Sequence, residues 1–482
     1  MNTKMIRYIL AKMMGVEAML LMLPVIVGVI YGEIEKIKAF FVPIIILGII
    51  FLVLGRKKPE DSTIYGKDGM IIVASAWILW SLFGAMPFTI SGAIPAYIDA
   101  FFETVSGFTT TGSSILKDIE ALPQCMHFWR AFTHWIGGMG VLVFVMVLTS
   151  LDRKNTMHLM RAEVPGPEKD KLVPKMTDTA RILYGMYFVL TAVEVVLLLL
   201  GGMNLFDSLI HSFSTAGTGG FSNYAASVGH FDSAYVDGVI TVFMILFGIN
   251  FNLYYLLLLK EYKPVFKNEE LRTYLGIIAV AALLITMNIS GQYASIGEAF
   301  RYAIFQIGAI ITTTGFATAD FCLWPMFSQC ILLMLMVCGA CASSTGGGIK
   351  VSRVLVIFKS IAKEIKQMVH PKSVNVIRVN GKKMGPELVK NIYIYMISYI
   401  VIMIASVLLI SIDNMDFGTT FTSVLTTMNN VGPGIGGVGP TGSFADFSPF
   451  SKLVFCFDML AGRLEIFPFL MFLTAFRWRK QF

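Results

Sequence analysis

Ten long apolar blocks separated by short polar connectors decide what this chain can become. Each block holds about 20 residues, the length of helix that crosses the hydrocarbon core of a bilayer. They lie at roughly 9–31, 38–55, 70–92, 128–150, 182–203, 236–259, 273–291, 327–358, 391–412 and 451–476. Only 14% of the 482 residues are charged and 56% are hydrophobic, with mean hydropathy +0.71. A soluble domain carries about 25% charged residues, so this chain cannot clothe a water-facing surface of its size. The reading is an all-α polytopic membrane protein, since helices satisfy their own backbone in lipid. The first block opens on Lys4, Arg7 and Lys12 like a secretory leader. Lys12 and Glu17 interrupt it, however, and no small-residue cleavage pattern ends it, so it is read as a retained span.

The basic residues orient the spans. The chain opens with Lys4, Arg7 and Lys12 and closes with Arg477, Arg479 and Lys480. Basic clusters also fill every second connector: Arg56 to Lys67, Arg153 to Arg181, Lys260 to Arg272 and Lys350 to Lys390. The alternate connectors hold few, such as Lys36, Lys38, Lys117 and Arg301. By the positive-inside rule the basic connectors and both termini face the cytoplasm of a plasma membrane, the inner membrane in a Gram-negative cell. The net charge of +7 thus reports topology and points to no nucleic acid. Cys338 and Cys341 form a C-x-x-C pair with no second Cys/His pair beside it, which reads as helix packing rather than a metal site.

Four outward connectors, about 93–127, 204–235, 292–326 and 413–450, each carry a semi-apolar stretch too short to span, followed by a Gly-centred turn. The turns read Thr109-Thr-Thr-Gly112, Gly217-Thr-Gly-Gly220, Thr312-Thr-Thr-Gly315 and Asn429-Asn-Val-Gly432. A span, half-helix, turn and span repeat about every 100 residues. Irregular backbone at membrane depth is tolerated only where it is buried in protein or lines a water-filled path. Four such units on one chain predict a pseudo-fourfold ring, with two extra leading spans. Carbonyls in the Gly-centred turns can replace the water shell of an alkali cation. Asp99 and Asp207, thirteen residues before Gly112 and Gly220, are expected to cap the first two half-helices. The implied divisions are 1–66 for the extension, then repeats at 67–152, 153–268, 269–383 and 384–482.

At these turns the chain resembles the superfamily of Trk, Ktr and plant HKT cation transporters. The two leading spans and His134-Trp-Ile-Gly-Gly-Met-Gly140 resemble its Trk branch. The resemblance implies potassium as the transported ion and a selectivity filter at Thr110, Thr111, Gly112, Thr218, Gly219, Gly220, Thr313, Thr314, Gly315, Asn430, Val431 and Gly432. Gly at all four filter positions goes with potassium over sodium in the superfamily. The second and fourth turns depart from Thr-Thr-Gly, so the quarters are unequal. The resemblance also implies a homodimer and a separate cytosolic ring of nucleotide-binding domains (TrkA-like) on the basic connectors. Anionic membrane lipid is the alternative partner of those charges.

The eighth block is overlong and contains Gly346, Gly347 and Gly348, each costing a helix about 1 kcal/mol relative to Ala. One reading is a packing kink; the resemblance implies an intramembrane gate hinged there, with Lys350 as an electrostatic barrier. Arg463, inside the last block, is either one half of a structural ion pair or, as the resemblance implies, a pore-facing cation below the filter. Glu103, Asp458 and Glu465 attract cations or brace the turns; His134 and His211 read as packed or hydrogen-bonded. No nucleotide-binding motif and no nucleophile–base or metal pattern occurs, and no organic cofactor is implied. The expected function is potassium uptake through a gated pore driven by the membrane potential. The alternatives are symport coupled to sodium or protons and, remotely, an integral membrane enzyme.

Overall fold

The computed structural model describes residues 2–61, 63–140, 176–373 and 375–474. The second half of the fourth expected span, the basic residues from Arg153 to Lys175 and those beyond Thr474 lie outside them. Six described helices are long and apolar enough to cross a membrane, among them Gly66–Ile90, Glu269–Gln292 and Pro386–Asp413. Ala234–Phe247 and Phe251–Leu258 form a further crossing if counted as one span, but they are bent by 92°.

That bend corrects the expectation of one straight sixth span. Tyr274 lies so close to Gly248 that a Cβ there would sit 2.5 Å from its hydroxyl. Beyond it the Asn250 side chain accepts the Asn252 N–H and starts a new helix. The last span is likewise not continuous. Pro449–Arg463 ends, Glu465 and Ile466 take φ of 56° and 65°, and Phe467–Thr474 resumes. The eighth block breaks as its glycines predict, into Met326–Cys338 and Val351–Val369 with an irregular loop between them.

The four short helices between spans are Tyr97–Phe108, Leu205–Gly217, Ile296–Ile311 and Phe417–Asn429. Asp99 and Asp207 are not their caps. Asn204 caps the second half-helix by accepting the Asp207 N–H at 2.8 Å, and the first follows Ala96 with no side-chain cap. Both carboxylates lie one turn further in, where the helix dipole still favours negative charge. Asp99 there accepts from Lys452 Nζ at 2.7 Å. Ser295 and Asp416 cap the third and fourth half-helices.

The C-terminal halves of the half-helices are buried among the spans. Trp80 and Trp129 pack edge-on against Phe108 of the first half-helix, with ring centroids 5.6 and 6.0 Å away. Trp129 donates its indole N–H to the Gly84 carbonyl at 3.0 Å, so this ring is both packed and satisfied. The leading helices Thr3–Leu20 and Ile34–Leu54 pack on each other and on Gly66–Ile90. On the basic side, Arg378–Val379 and Lys382–Lys383 pair as a short antiparallel hairpin.

Candidate functional site

Each half-helix ends in the same way. The residue two before the turn glycine is left-handed: Thr110, Thr218, Thr313 and Asn430 have φ of 55°, 55°, 59° and 55°. The next residue returns its N–H five positions back, Thr111 to Ser106, Gly219 to Ser214, Thr314 to Ala309 and Val431 to Thr426, at 2.8 to 3.0 Å. This is a Schellman closure, which normally recruits Gly at the left-handed position. Thr there is strained, Asn is tolerated, and the left-handed closure recurs in all four quarters.

The turn glycines also have positive φ: 82° at Gly112, 75° at Gly220, 81° at Gly315 and 103° at Gly432. A Cβ on Gly112 would lie 1.9 Å from the Gly219 carbonyl oxygen, and one on Gly220 would lie 2.0 Å from that of Thr314. On Gly315 it would meet the Val431 oxygen at 2.1 Å, and on Gly432 the Thr111 oxygen at 2.9 Å. Each glycine therefore faces the carbonyl preceding the glycine of the next quarter, and the sequence of contacts closes after four. Ser113 Oγ donates to the Gly432 carbonyl at 3.1 Å, and Asn430 Nδ2 to Thr111 Oγ1 at 2.9 Å, which seals the joint between last and first quarters.

The quarters differ behind this ring. In the first and third, paired hydroxyls brace the turn: Thr109 with Thr111 at 2.8 Å, and Thr312 with Thr314 at 2.7 Å. The second has Gly217 and Gly219 at those positions, and His134 occupies the space. A Cβ on Gly219 would lie 2.4 Å from the imidazole, which stacks on Phe221 with ring centroids 4.2 Å apart. In the fourth, Asn429 Nδ2 donates to the Tyr399 hydroxyl at 2.8 Å. His211 bonds the Asp207 carbonyl and Ser222 Oγ, so both histidines are packed and hydrogen-bonded as expected. Glu103 braces the first turn. It receives Ser114 Oγ and the Ile115 N–H and pairs with Arg130 at 2.7 Å, both side chains almost fully buried. Arg130 also donates to the Ser222 carbonyl and lies 4.0 Å from the Phe221 ring centre, linking the first two quarters.

The irregular loop of the eighth block lies against the third and fourth quarters. The Gly347 N–H reaches Thr313 Oγ1, and the Gly348 N–H reaches the Asn429 carbonyl at 3.0 Å. A Cβ on Gly347 would stand 2.4 Å from that same carbonyl. Lys350, itself buried, donates to the Gly346 carbonyl. Arg463 reaches the loop from the last span: Nη1 donates to the Thr345 carbonyl at 2.8 Å, and Nη2 to Gly137 and Gly138 at 2.5 and 2.7 Å. It is thus a bridge between loop and fourth span. Glu465 pairs instead with Arg353 at 2.6 Å, and Asp458 accepts from Ser406 Oγ.

Sequence reasoning missed Glu270. Its carboxylate accepts the N–H of Ala342 at 2.7 Å and of Ser352 at 3.2 Å, so one side chain holds both ends of the loop. An acidic residue in a first helical turn looks like ordinary dipole chemistry, and no sequence signal links it to a segment some eighty residues away. The six cysteines are all free.

A closed ring of Gly-centred turns, backed by an irregular loop in a bundle of long apolar helices, is the architecture of a multi-pass membrane protein. The chain belongs to the TrkH family of cation transport proteins, whose model matches residues 36–478. It is 35% identical over 468 residues to the Trk system potassium uptake protein TrkH of Salmonella typhimurium, covering 95% of this chain and 96% of that one. It is 34% identical over 468 residues to TrkG of Escherichia coli, covering 95% and 94%. The crystal structure of the potassium transporter TrkH from Vibrio parahaemolyticus superposes with TM-score 0.86 at 32% identity, over 99% of this chain and 100% of that one.

Proposed function

We propose that this chain carries potassium into the cell through a selective, gated pore, with the four turns as its filter. The observation that carries the reading is the closed order of contacts, Gly112 to Gly219, Gly220 to Thr314, Gly315 to Val431 and Gly432 to Thr111. The close, cyclic packing of the four turns supports a ring of carbonyls around one axis, the chemistry that substitutes for an alkali ion's hydration shell. The names of the relatives, potassium uptake proteins, supply the ion. The membrane potential supplies the drive, about 2.3 kcal/mol per charge per 100 mV.

In this reading Gly346, Gly347 and Gly348 are the hinge of a gate beneath the filter, Lys350 adds a positive barrier, and Arg463 latches the gate to the fourth span. The basic connectors and both termini are cytoplasmic. A TrkA-like nucleotide-binding ring docks there, and the chain works as a homodimer.

Gly112→Ser tests the filter: the potassium-to-sodium permeability ratio in proteoliposomes falls at least about tenfold, roughly 1.4 kcal/mol, because the new side chain meets the Gly219 carbonyl. An unchanged ratio removes Gly112 from the filter. Single-channel recording separates the pore from obligatory symport; discrete unitary currents are expected.

A further inference from the structure

We propose that Tyr399, on the span Pro386–Asp413 that precedes the fourth half-helix, is a positioning residue of the ion path. Its hydroxyl holds Asn429 and thereby sets how sharply the fourth turn discriminates potassium from sodium. The proposal rests on the reading of the four turns as a filter; the bracing of the fourth turn does not.

Two other turns show what the fourth lacks. Thr109 and Thr312, each three residues before a turn glycine, donate their hydroxyl hydrogens to the carbonyls of Val105 and Gly308 at 2.7 and 2.6 Å. A hydroxyl carries one hydrogen, so each must receive its second bond, from Thr111 at 2.8 Å and from Thr314 at 2.7 Å. That second bond closes the turn on itself. In the fourth turn the same two positions are Asn429 and Val431. Asn429 keeps the first bond, its Nδ2 reaching the Leu425 carbonyl at 2.8 Å. Val431 has no side-chain polar atom with which to make the second.

Tyr399 makes it from outside the turn. Its hydroxyl accepts the other hydrogen of Asn429 Nδ2 at 2.8 Å, so both hydrogens of the amide are committed. Asn429 is fully buried and Tyr399 is 4% exposed, so water does not stand in for either partner. The Tyr399 ring packs in one cluster with Ile349, Met428 and Ile466, which keeps the hydroxyl aimed at the turn. Asn430, the next residue, carries the left-handed φ of 55° that begins the closure, and its Nδ2 reaches Thr111 of the first turn at 2.9 Å. Freedom gained at Asn429 therefore passes into the fourth turn and its joint with the first. A carbonyl ring discriminates alkali ions by its size or by the number and field strength of its dipoles. A quarter free to relax blurs either. Tyr395, one turn earlier on the same span, lies against Arg353 at 4.1 Å instead and provides the control.

The full chain in proteoliposomes gives the potassium-to-sodium permeability ratio from bi-ionic potentials, with rubidium flux read alongside. Tyr399→Phe removes one oxygen and is expected to lower the ratio about two- to tenfold, the worth of one neutral hydrogen bond. Tyr395→Phe should leave it unchanged. Asn429→Leu removes the bond from the other end and should lower the ratio too; adding Tyr399→Phe to it should change nothing further. An unchanged ratio in Tyr399→Phe, beside the fall expected of Gly112→Ser, overturns this proposal and leaves the filter standing. No change in either overturns both. A change of flux at constant ratio, an equal fall in Tyr395→Phe, or additive effects of Tyr399→Phe and Asn429→Leu also overturns it. If Tyr399→Phe fails to incorporate, Asn429→Leu decides, since the parent ratio in that variant shows that the bond sets no selectivity.

Discussion

Gly347 donates its backbone N–H to Thr313 Oγ1 at 2.6 Å, so the intramembrane loop is fastened to a residue of the third turn itself. A side chain that both shapes the turn and holds the loop couples the two. In the proposed pore, displacing the loop changes what the third quarter presents to an ion.

Thr313→Val keeps the volume and removes the acceptor. The buried Gly347 N–H is left unpaired at a cost of about 1–3 kcal/mol, charged to the state in which the loop is docked. Rubidium-tracer uptake into proteoliposomes holding this chain alone is expected to rise several-fold to tenfold. Unchanged flux at equal incorporation would show that the bond does not hold the loop shut.

Glu270→Ala removes the carboxylate from Ala342 and Ser352 together, leaving two donors without their acceptor. The expectation is higher basal flux and a lower thermal midpoint. Glu270→Gln retains one acceptor oxygen and should fall between. If the two substitutions behave alike, Glu270 acts by its charge rather than by holding the loop ends.

Arg130→Gln leaves Glu103 buried beside the first turn with its partner gone. Breaking such a pair costs about 3–5 kcal/mol, so thermal unfolding should start well below that of the parent chain. Adding Glu103→Gln should restore part of the loss, because the uncompensated charge is removed. Failure to restore any would mean that packing of Arg130 on Phe221 carries the effect.

Hydrogen bonds from Thr419 hold the Asp416 carboxyl below its ordinary value. A carboxyl depressed in the folded state contributes stability that is complete above its unfolded value, about 3.9, and is lost as pH falls past it. The protection factor of the Thr419 amide, its exchange rate taken relative to the intrinsic rate at each pH, should therefore fall below about pH 4 and be level above it. Asp416→Asn should flatten that profile.

The fold was legible where it depends on composition along the chain. Six of the ten apolar blocks match long helices of the described residues, and Gly346 to Gly348 pointed to the break in the eighth. The four turns were legible because Gly112, Gly220, Gly315 and Gly432 recur in one context. What stayed hidden depends on neighbours remote in sequence. Asn250 was a local cap signal for the bend, but the approach of Tyr274, from the next span, to Gly248 has no mark in the sequence. Arg463 could be read as ion pair or pore cation because both explain a buried charge. Its partners are carbonyls exposed where other segments end, and carbonyls carry no residue identity. Asp99 and Asp207 were misread by a single turn, since an acid at the cap and an acid in the first turn answer the same dipole.

His134 filling the room vacated beside Gly219 bears on how such a ring can change over generations. Four identical subunits must accept any alteration in all four turns at once. Here each turn is encoded separately, and a side chain lost from one can be replaced by a neighbour from another repeat. Drift within a single quarter is therefore repairable by one compensating residue. Thr at 219 should be admissible only in company with a smaller residue at 134.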